Sequence, residues 1–312
     1  MQLIHSWSDH KAQGKGLVLA IGNFDGMHLG HQAVIRRLVE KAQALNLEAA
    51  VMTFEPHPRQ FFRKDERLPR LSTFRDKVEA FKKGGIDKLI CIRFCQQFAD
   101  LTPEEFVHDL LFKSLGVKHV IVGSLFFFGK GGLGDFDCLK RLCLKDNITA
   151  EALDAVSLDD ERISSTKIRS YLAKGDCENA ARYLGRPYSI SGRVAHGNTI
   201  GRTLGFPTAN IELHGMLPPL RGVYAVKVQT SHGVFNGMCN AGERPSIREV
   251  HKRFLLEAHL FNFNADIYSE LIKISFISKI RDETVFSDLE ELKKRLKLDE
   301  QAVIETLKSF DN

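Results

Sequence analysis

The stretch GLVLAIGNFDGMHLGHQAVIRRLVEKAQAL, residues 16–45, reads as strand, tight turn and helix in direct succession. Its first part is a short unbroken apolar run, which suits a strand covered on both faces. Its last part places apolar residues at helical spacing from His31 onward. Between them Gly22, Gly26 and Gly30 let the backbone turn tightly and approach a ligand. The alternation continues through EAAVMTF (48–54), TFRDKVEAFKKGG (73–85), DKLICIRF (87–94), LTPEEFVHDLLFKSLG (101–116) and KHVIVG (118–123). In the fourth of these, Thr102 and Glu105 form a capping box, with Pro103 at the first helical position. Strands alternating with helices predict a doubly wound α/β domain with a parallel sheet. In such folds ligands bind at the carboxyl ends of the strands, where the strand order reverses.

After residue 163 the pattern changes to two short helices, over 166–173 and 176–184, ending at Gly185-Arg186-Pro187. A domain boundary is expected there, giving residues 1–185 and 186–312. Beyond it come strand-like segments punctuated by Gly: YSISGRVAHG (188–197), GVYAVKVQT (222–230), GVFNGMCNAG (233–242), RFLLEAHLFNF (253–263) and LIKISFISKI (271–280). Short strands at regular spacing predict a small antiparallel β-barrel of the six-stranded type. SDLEELKKRLKLDEQAVIETLKSF (287–310) reads as one or two amphipathic helices packed onto it.

Two domains also suit a length of 312 residues. No apolar stretch is long enough for a membrane span and no secretory leader is visible, so the cytosol is the expected location, without a membrane partner. The six cysteines are scattered, with no CxxC pair, and read as buried reduced thiols. A net charge of +5 suits polyphosphate ligands and also nucleic acid, but Lys and Arg are spread along the chain instead of forming one basic block. A non-catalytic nucleic-acid-binding protein is therefore the alternative of another class, and no nucleic-acid partner is expected.

Within GNFDGMHLGH (22–31), His28 and His31 stand three residues apart at the start of a helix, where both imidazoles can face one anion. Transfer of AMP from ATP to an acceptor that is itself a phosphate needs no protein nucleophile, only groups that stabilise charge on the α-phosphate and the departing pyrophosphate. A second element, ISSTKIR (163–169), offers Ser164, Ser165 and Thr166 at a helix start, with Arg169 in the first turn able to grip phosphate oxygens.

HxGH near the beginning and ISSTxIR at the domain's end resemble the nucleotidyltransferase superfamily, specifically the adenylyltransferase half of bacterial bifunctional riboflavin kinase/FAD synthetase. FEPHPRQFF (54–62), RLSTFRDK (70–77), FADLTPEEFV (98–107) and HVIVG (119–123) extend the resemblance. It implies that Gly22, Asn23, Phe24, Asp25, His28, His31, Ser164, Ser165, Thr166 and Arg169 bind ATP, with His28, His31 and Arg169 catalytic. One departure stands out. After VIVG such sequences usually continue with a polar Asp or Asn and then Phe, a variable often basic residue, and Phe-Gly, whereas this chain reads SLFFFGKGGLGDF (124–136). Leu125 takes the polar position, and Phe127 and Gly132 stand where basic residues are common. A riboflavin kinase with a weakened or altered N-terminal nucleotidyltransferase is therefore a second alternative.

In the C-terminal half, HGNTIGRTLGFPTAN (196–210) is a glycine-rich loop without the GK[ST] of a Walker A motif. Gly201 and Gly205 let backbone amides reach phosphate, and the Thr208 hydroxyl and Asn210 amide can hold Mg²⁺ or a phosphate oxygen. On the strand LLEAHLFNF, alternation places Glu257 with Leu255, His259, Phe261 and Phe263 on one face. A carboxylate among apolar side chains is a credible general base for an alcohol. GFPTAN followed by this Glu resembles the riboflavin kinase domain, with GVYAV (222–226), NAGERPS (240–246) and KIRDETVF (279–286) in support. The resemblance implies that Glu257 deprotonates the ribityl 5′-hydroxyl of riboflavin. It further implies that Gly201, Arg202, Gly205, Pro207, Thr208 and Asn210 bind ATP, that Thr208 and Asn210 hold Mg²⁺, and that Arg281 and Glu283 border the flavin. Ser246 replaces the more usual Thr and keeps the hydroxyl. The expected chemistry uses ATP twice: riboflavin becomes FMN, and FMN becomes FAD. Phe54, Phe61 and Phe62 either stack on a ring or fill core, and core is the expectation.

Overall fold

The computed structural model describes residues 1–5, 15–63, 67–195, 205–213, 215–244 and 253–311. By their contacts these residues divide into two units, one of residues 1–68 with 77–163 and the other of residues 69–76 with 164–312.

The first unit is built on six parallel strands, β1 (Gln2–Ile4), β2 (Leu17–Ile21), β3 (Glu48–Glu55), β4 (Lys88–Arg93), β5 (Val117–Gly123) and β6 (Thr149–Leu153), in the order β1-β4-β3-β2-β5-β6. Their connections carry α1 (Leu29–Leu45), α2 (Pro58–Phe62), α3 (Phe74–Lys83), α4 (Gln96–Ala99), α5 (Pro103–Glu105) and α6 (Phe136–Lys145). All five residues of β2 are buried, as a strand covered on both faces requires. Successive strands run outward from β2 on one side through β3 and β4, and on the other through β5 and β6. The order therefore reverses between β2 and β5, and the crevice at their carboxyl ends is where a ligand is received.

The capping box forms as expected: Thr102 accepts from the Glu105 N–H while the Glu105 carboxylate accepts from the Thr102 N–H. Past it, however, the chain winds as a π-helix over Phe106–Ser114, closed by Leu115 N–H donating to Leu110 O at 3.0 Å. Apolar periodicity cannot separate this winding from an α-helix, because both bury a similar stripe. A two-stranded ribbon, β7 (Ser157–Leu158) and β8 (Glu161–Arg162), completes the unit.

Besides residues 69–76, the second unit contains α7 (Ser165–Ala173) and α8 (Cys177–Leu184). The contacts thus part between residues 163 and 164, whereas the sequence pattern breaks near 185. Six antiparallel strands follow: β9 (Tyr188–Ala195), β10 (Ala209–Glu212), β11 (Gly222–Thr230), β12 (Gly233–Arg244), β13 (Arg253–Leu260) and β14 (Leu271–Arg281). They close into a barrel in the order β10-β13-β12-β11-β14-β9, with β9 pairing back to β10. Closure leaves no open edge. Gly192 of β9 faces Ile211 and Glu212 across the closing seam, where a Cβ would run into both.

The barrel interior is filled by fully buried Tyr224, Cys239, Ala241, Leu256 and Ala258. The C-terminal segment is one helix, α9 (Leu289–Asp311), which lays Val303 and Leu307 over Met238, Ala225 and Phe206. Burial of each of those two side chains contributes roughly 1.5–3 kcal/mol. Four of the six cysteines, Cys91, Cys143, Cys177 and Cys239, are buried free thiols. Burial pushes Cys91 up to about 11 and Cys143 up to about 12. No helix of the described residues is long and apolar enough to cross a membrane.

Candidate functional site

The turn from β2 into α1 lies at the carboxyl edge of the first unit's sheet, beside the point where strand order reverses. It is a strained backbone. Phe24 and Met27 hold positive φ values of 49° and 46°, and Gly26 one of 86°. Non-glycine residues in this region cost on the order of 1 kcal/mol or more each, so the surrounding structure must hold them there. Gly22 N–H donates to Met52 O on β3, the Thr53 hydroxyl donates to Asn23 O, and the Phe24 ring packs edge-on against Phe81 of α3. Asp25 and His28 are buried side chains within this turn.

His28 is the N-cap of α1, and its Nδ1 accepts from the His31 N–H at 3.2 Å. An accepting Nδ1 fixes the neutral tautomer of His28 with its proton on Nε2, which leaves that nitrogen as a donor. The two imidazoles stack, with ring centroids 3.6 Å apart and planes 15° apart. Burial, then the neighbouring His28, then Lys77 hold His31 well below the usual histidine range, so its ring is neutral at pH 7. The Lys77 ammonium is itself buried and pairs with Glu55 at the end of β3, 3.1 Å away. Two buried polar atoms here have no hydrogen-bond partner among the described residues, Asn23 Oδ1 and His31 Nδ1. Leaving such atoms unsatisfied costs about 1–3 kcal/mol each, so a polar ligand is the natural partner.

The segment after β5 opens at the same crevice. Phe126 stacks on Phe128 with planes 10° apart, which anchors the loop, while Leu125 and Phe127 are each 64% exposed. The positions where sequence comparison anticipates polar or basic groups thus present apolar side chains to solvent. At the ends of β3 and β4 lies an aromatic cluster for which the sequence favours core over ring stacking. Phe54 is buried and Phe61 half-buried, but Phe62 is 64% exposed, edge-on to Phe61 and Phe94. A five-residue helix with Pro58 at its first turn turns this last ring outward. Apolar character alone carried no sign of that.

ISSTKIR opens α7 in the second unit. Ser164 is the N-cap and its hydroxyl accepts from the Lys167 N–H at 3.3 Å. Thr166 is exposed, Ser165 and Arg169 are half-buried, and the helix N-terminus carries partial positive charge.

On the barrel, β13 lies between β10 and β12. Glu257 stands directly opposite Asn210 on one side and Asn240 on the other. Directly opposed residues share a face, and here it is the outer one, because the alternate residues Leu256 and Ala258 fill the interior. The carboxylate is therefore flanked across the sheet by two amides, although its neighbours along the strand are the expected Leu255 and His259. His259, which sequence reading treated only as a face neighbour, has a specific task. Its Nδ1 donates to Pro207 O at 2.7 Å and so ties down the turn that carries Thr208 into β10. Gly205 in that turn has a φ of 84°, which a side chain would strain. Gly201 and Arg202 lie outside the described residues, as does Ser246.

Arg281 and Glu283 end the barrel differently. The Arg281 guanidinium grips buried Asp299 of α9, with Nε at 2.9 Å and Nη2 at 2.8 Å from Oδ2, and Arg295 adds Nε to Oδ1 at 3.0 Å. Glu283 is exposed and its carboxylate lies over Gly242, where a Cβ would collide with it. A cleft of 410 Å³ opens beside Arg281, with Phe286, Lys294, Arg295 and Leu298 in its walls.

Residues 10–167 match the FAD synthetase family and residues 184–307 the riboflavin kinase family. Over the full length of both chains the protein is 42% identical to a bifunctional riboflavin kinase/FMN adenylyltransferase of Haemophilus influenzae. The chain belongs to the bifunctional riboflavin kinase/FMN adenylyltransferase family. It is also 40% identical to the Pseudomonas fluorescens enzyme of that name, over 96% of each chain, and 40% identical to the Escherichia coli K12 enzyme, over 95% of this chain and 94% of that one. A solved Streptococcus pneumoniae structure, described as a macrolide-efflux protein, shares the fold with a TM-score of 0.82 at 29% identity, covering 97% of this chain and 99% of that one. The enzyme phosphorylates riboflavin with ATP and transfers AMP from ATP to FMN, yielding FAD. Its two phosphoryl chemistries rest on an FAD synthetase domain and a riboflavin kinase domain.

Proposed function

We propose that the α/β domain adenylylates FMN through the turn after β2, and that the barrel phosphorylates riboflavin at the outer face of β13. The observation that carries this reading is the pair of centres just described: stacked imidazoles at a helix N-terminus, and a carboxylate flanked by amides. Adenylylation is assigned to residues 1–185 and phosphorylation to residues 186–312.

For adenylylation, His28 Nε2–H donates to a phosphate oxygen at the positive end of α1, and His31 adds a second imidazole to the same anion. Asn23 and Asp25 order the turn, with Gly22 and Phe24 shaping its floor. Ser164, Ser165, Thr166 and Arg169 bind ATP phosphate oxygens from the start of α7. An FMN phosphate oxygen attacks the α-phosphorus, the bond to the β-phosphate breaks, and pyrophosphate leaves. Preorganised donors favour this step because no reorientation is needed as charge develops. The exposed Phe62 ring offers a stacking face for a flavin.

For phosphorylation, Glu257 takes the proton of the ribityl 5′-hydroxyl as that oxygen attacks the γ-phosphorus, and ADP departs. Gly201, Arg202, Gly205, Pro207, Thr208 and Asn210 bind ATP. The hydroxyl of Thr208 and the amide oxygen of buried Asn210 are hard oxygen donors, which fit Mg²⁺ whose remaining ligands are phosphate oxygens and water. When bound, Mg²⁺ neutralises charge on the transferring phosphate. The cleft beside Arg281, with Phe286 and Leu298 in its walls and Glu283 nearby in sequence, is assigned to the isoalloxazine ring. We place the enzyme in the cytosol, where its ATP is held.

The test is to supply riboflavin and FMN separately. Glu257→Gln should abolish FMN formation while FAD formation from supplied FMN continues, and His31→Ala should do the reverse. Equal loss of both reactions in either variant would contradict separate centres.

A further inference from the structure

A histidine needs a physical reason to stand where His259 stands. Opposite it on β12 is Met238, which lies with Phe206 in the apolar cluster that Val303 and Leu307 of α9 cover. The ring is 9% exposed and meets Phe206 and Phe261 edge-on, with centroids 5.3 and 5.6 Å away. Burying a polar imidazole among apolar side chains is unfavourable unless a hydrogen bond compensates, and Phe or Leu would fill such a seam better. The compensation is the bond from Nδ1 to Pro207 O, at 2.7 Å the short end of the range for an N–H and an oxygen. A carbonyl only accepts, so the proton sits on Nδ1.

That bond falls one residue before Thr208. Proline has no N–H, so the carbonyl is the backbone group by which Pro207 can be anchored. The peptide group joining Pro207 to Thr208 is planar, and a bond that fixes its oxygen also fixes the direction of the Thr208 N–H and the placing of the Thr208 Cα. The register of β10 with β13 begins at the next residue, with Ala209 opposite Ala258. Upstream the turn is open at Gly205, where a Cβ would meet nothing within 4 Å.

We propose that His259 is a positioning residue of the kinase reaction, its Nδ1–H holding the Pro207–Thr208 peptide so that Thr208 and Asn210 are aimed at Mg-ATP before the nucleotide arrives. Without the bond the Thr208 hydroxyl samples several positions, and part of the binding energy of the nucleotide goes into ordering the turn. Riboflavin binding carries no such cost. This inference rests on Thr208 and Asn210 serving the nucleotide.

Two substitutions in the full chain separate the ring from its N–H. His259→Phe keeps an aromatic ring against Phe206 and Phe261 and removes the donor, whereas His259→Asn loses the ring and keeps an N–H at the same distance along the side chain. In His259→Phe, KM for ATP and the Mg²⁺ concentration giving half the maximal rate of FMN formation should each rise about fivefold, the effect of losing one neutral hydrogen bond. KM for riboflavin should stay within about twofold, and His259→Asn within about twofold of the parent in all three quantities. FAD formation from supplied FMN measures the amount of active protein. The inference is overturned if His259→Phe keeps the parent's KM for ATP and Mg²⁺ requirement. It is overturned equally if His259→Asn is as impaired as His259→Phe, because packing of the ring would then be what matters. Loss of riboflavin binding in His259→Phe, followed by the flavin's own fluorescence, also overturns it, since the residue would then hold the barrel as a whole. Thr208→Val separates the two levels. If that variant leaves KM for ATP and the Mg²⁺ requirement unchanged, the nucleotide role of Thr208 fails, whereas raised values in Thr208→Val beside unaffected His259 variants remove only the role of His259.

Discussion

Replacing Asp299 by Asn would test how the end of the barrel is held to its terminal helix. Asp299 is 1% exposed and accepts from Arg281 through Nε and Nη2, and from Arg295 through Nε. The two arginines differ in setting. The Arg281 side chain is 12% exposed and that of Arg295 43%. Removing the charge leaves Arg281 nearly buried without its counter-ion, a loss of about 3–5 kcal/mol for pairs of this kind. The Arg295 share is screened by solvent, and such pairs contribute only about 0–1 kcal/mol. Asp299→Asn should therefore destabilise the second unit by about 3 kcal/mol, lowering its melting midpoint by roughly 6–12 °C. Arg295→Gln should cost no more than about 1 kcal/mol. Because Arg281 also lines the cleft beside Phe286, its release should raise KM for riboflavin more than KM for ATP. Denaturant unfolding followed by circular dichroism gives the stabilities, and initial rates of FMN formation give the two KM values. The reasoning is refuted if Asp299→Asn and Arg295→Gln cost the same, or if an Asp299→Leu, Arg281→Met double variant is no more stable than Asp299→Asn alone. Removing both charges should recover most of the loss.

Two further outcomes are expected in the first unit. The folded state holds His31 below its ordinary titration range, while the unfolded chain takes up a proton near pH 6.5. Stability should accordingly fall as pH drops below about 6.5, by up to about 1.4 kcal/mol per pH unit from this residue. His31→Gln should remove that component, and identical slopes for variant and parent between pH 7 and 5 would contradict burial as the cause. Leu125→Asn restores a polar group to an exposed position at the crevice. If it reaches a phosphate, FMN adenylylation should quicken about tenfold, the effect of one hydrogen bond to a charged group. An unchanged rate would show that Leu125 costs the enzyme nothing.

Much of this protein is legible in one dimension. The apolar run of β2 and the helical spacing after His31 specify strand and helix because the physics of each is local: burial on both faces for one, a 3.6-residue stripe for the other. The Thr102 capping box forms as written because its partners are three residues apart. HxGH, ISSTxIR, GFPTAN and the strand Glu pointed to the two chemistries through their resemblance to a known family, to which the chain belongs.

Tertiary structure decided the rest. Nothing in the order of residues tells which strands lie side by side, so the flanking of Glu257 by Asn210 and Asn240, far apart in sequence, appears only once the barrel closes. The grip of Arg281 on Asp299 depends on where α9 lands, and the exposure of Phe62 on how a five-residue helix is turned. Composition and spacing set which groups are present and how each segment is wound. Register and packing set which groups meet, because contacts between distant segments are fixed by burial of the whole core and not by any single stretch of chain.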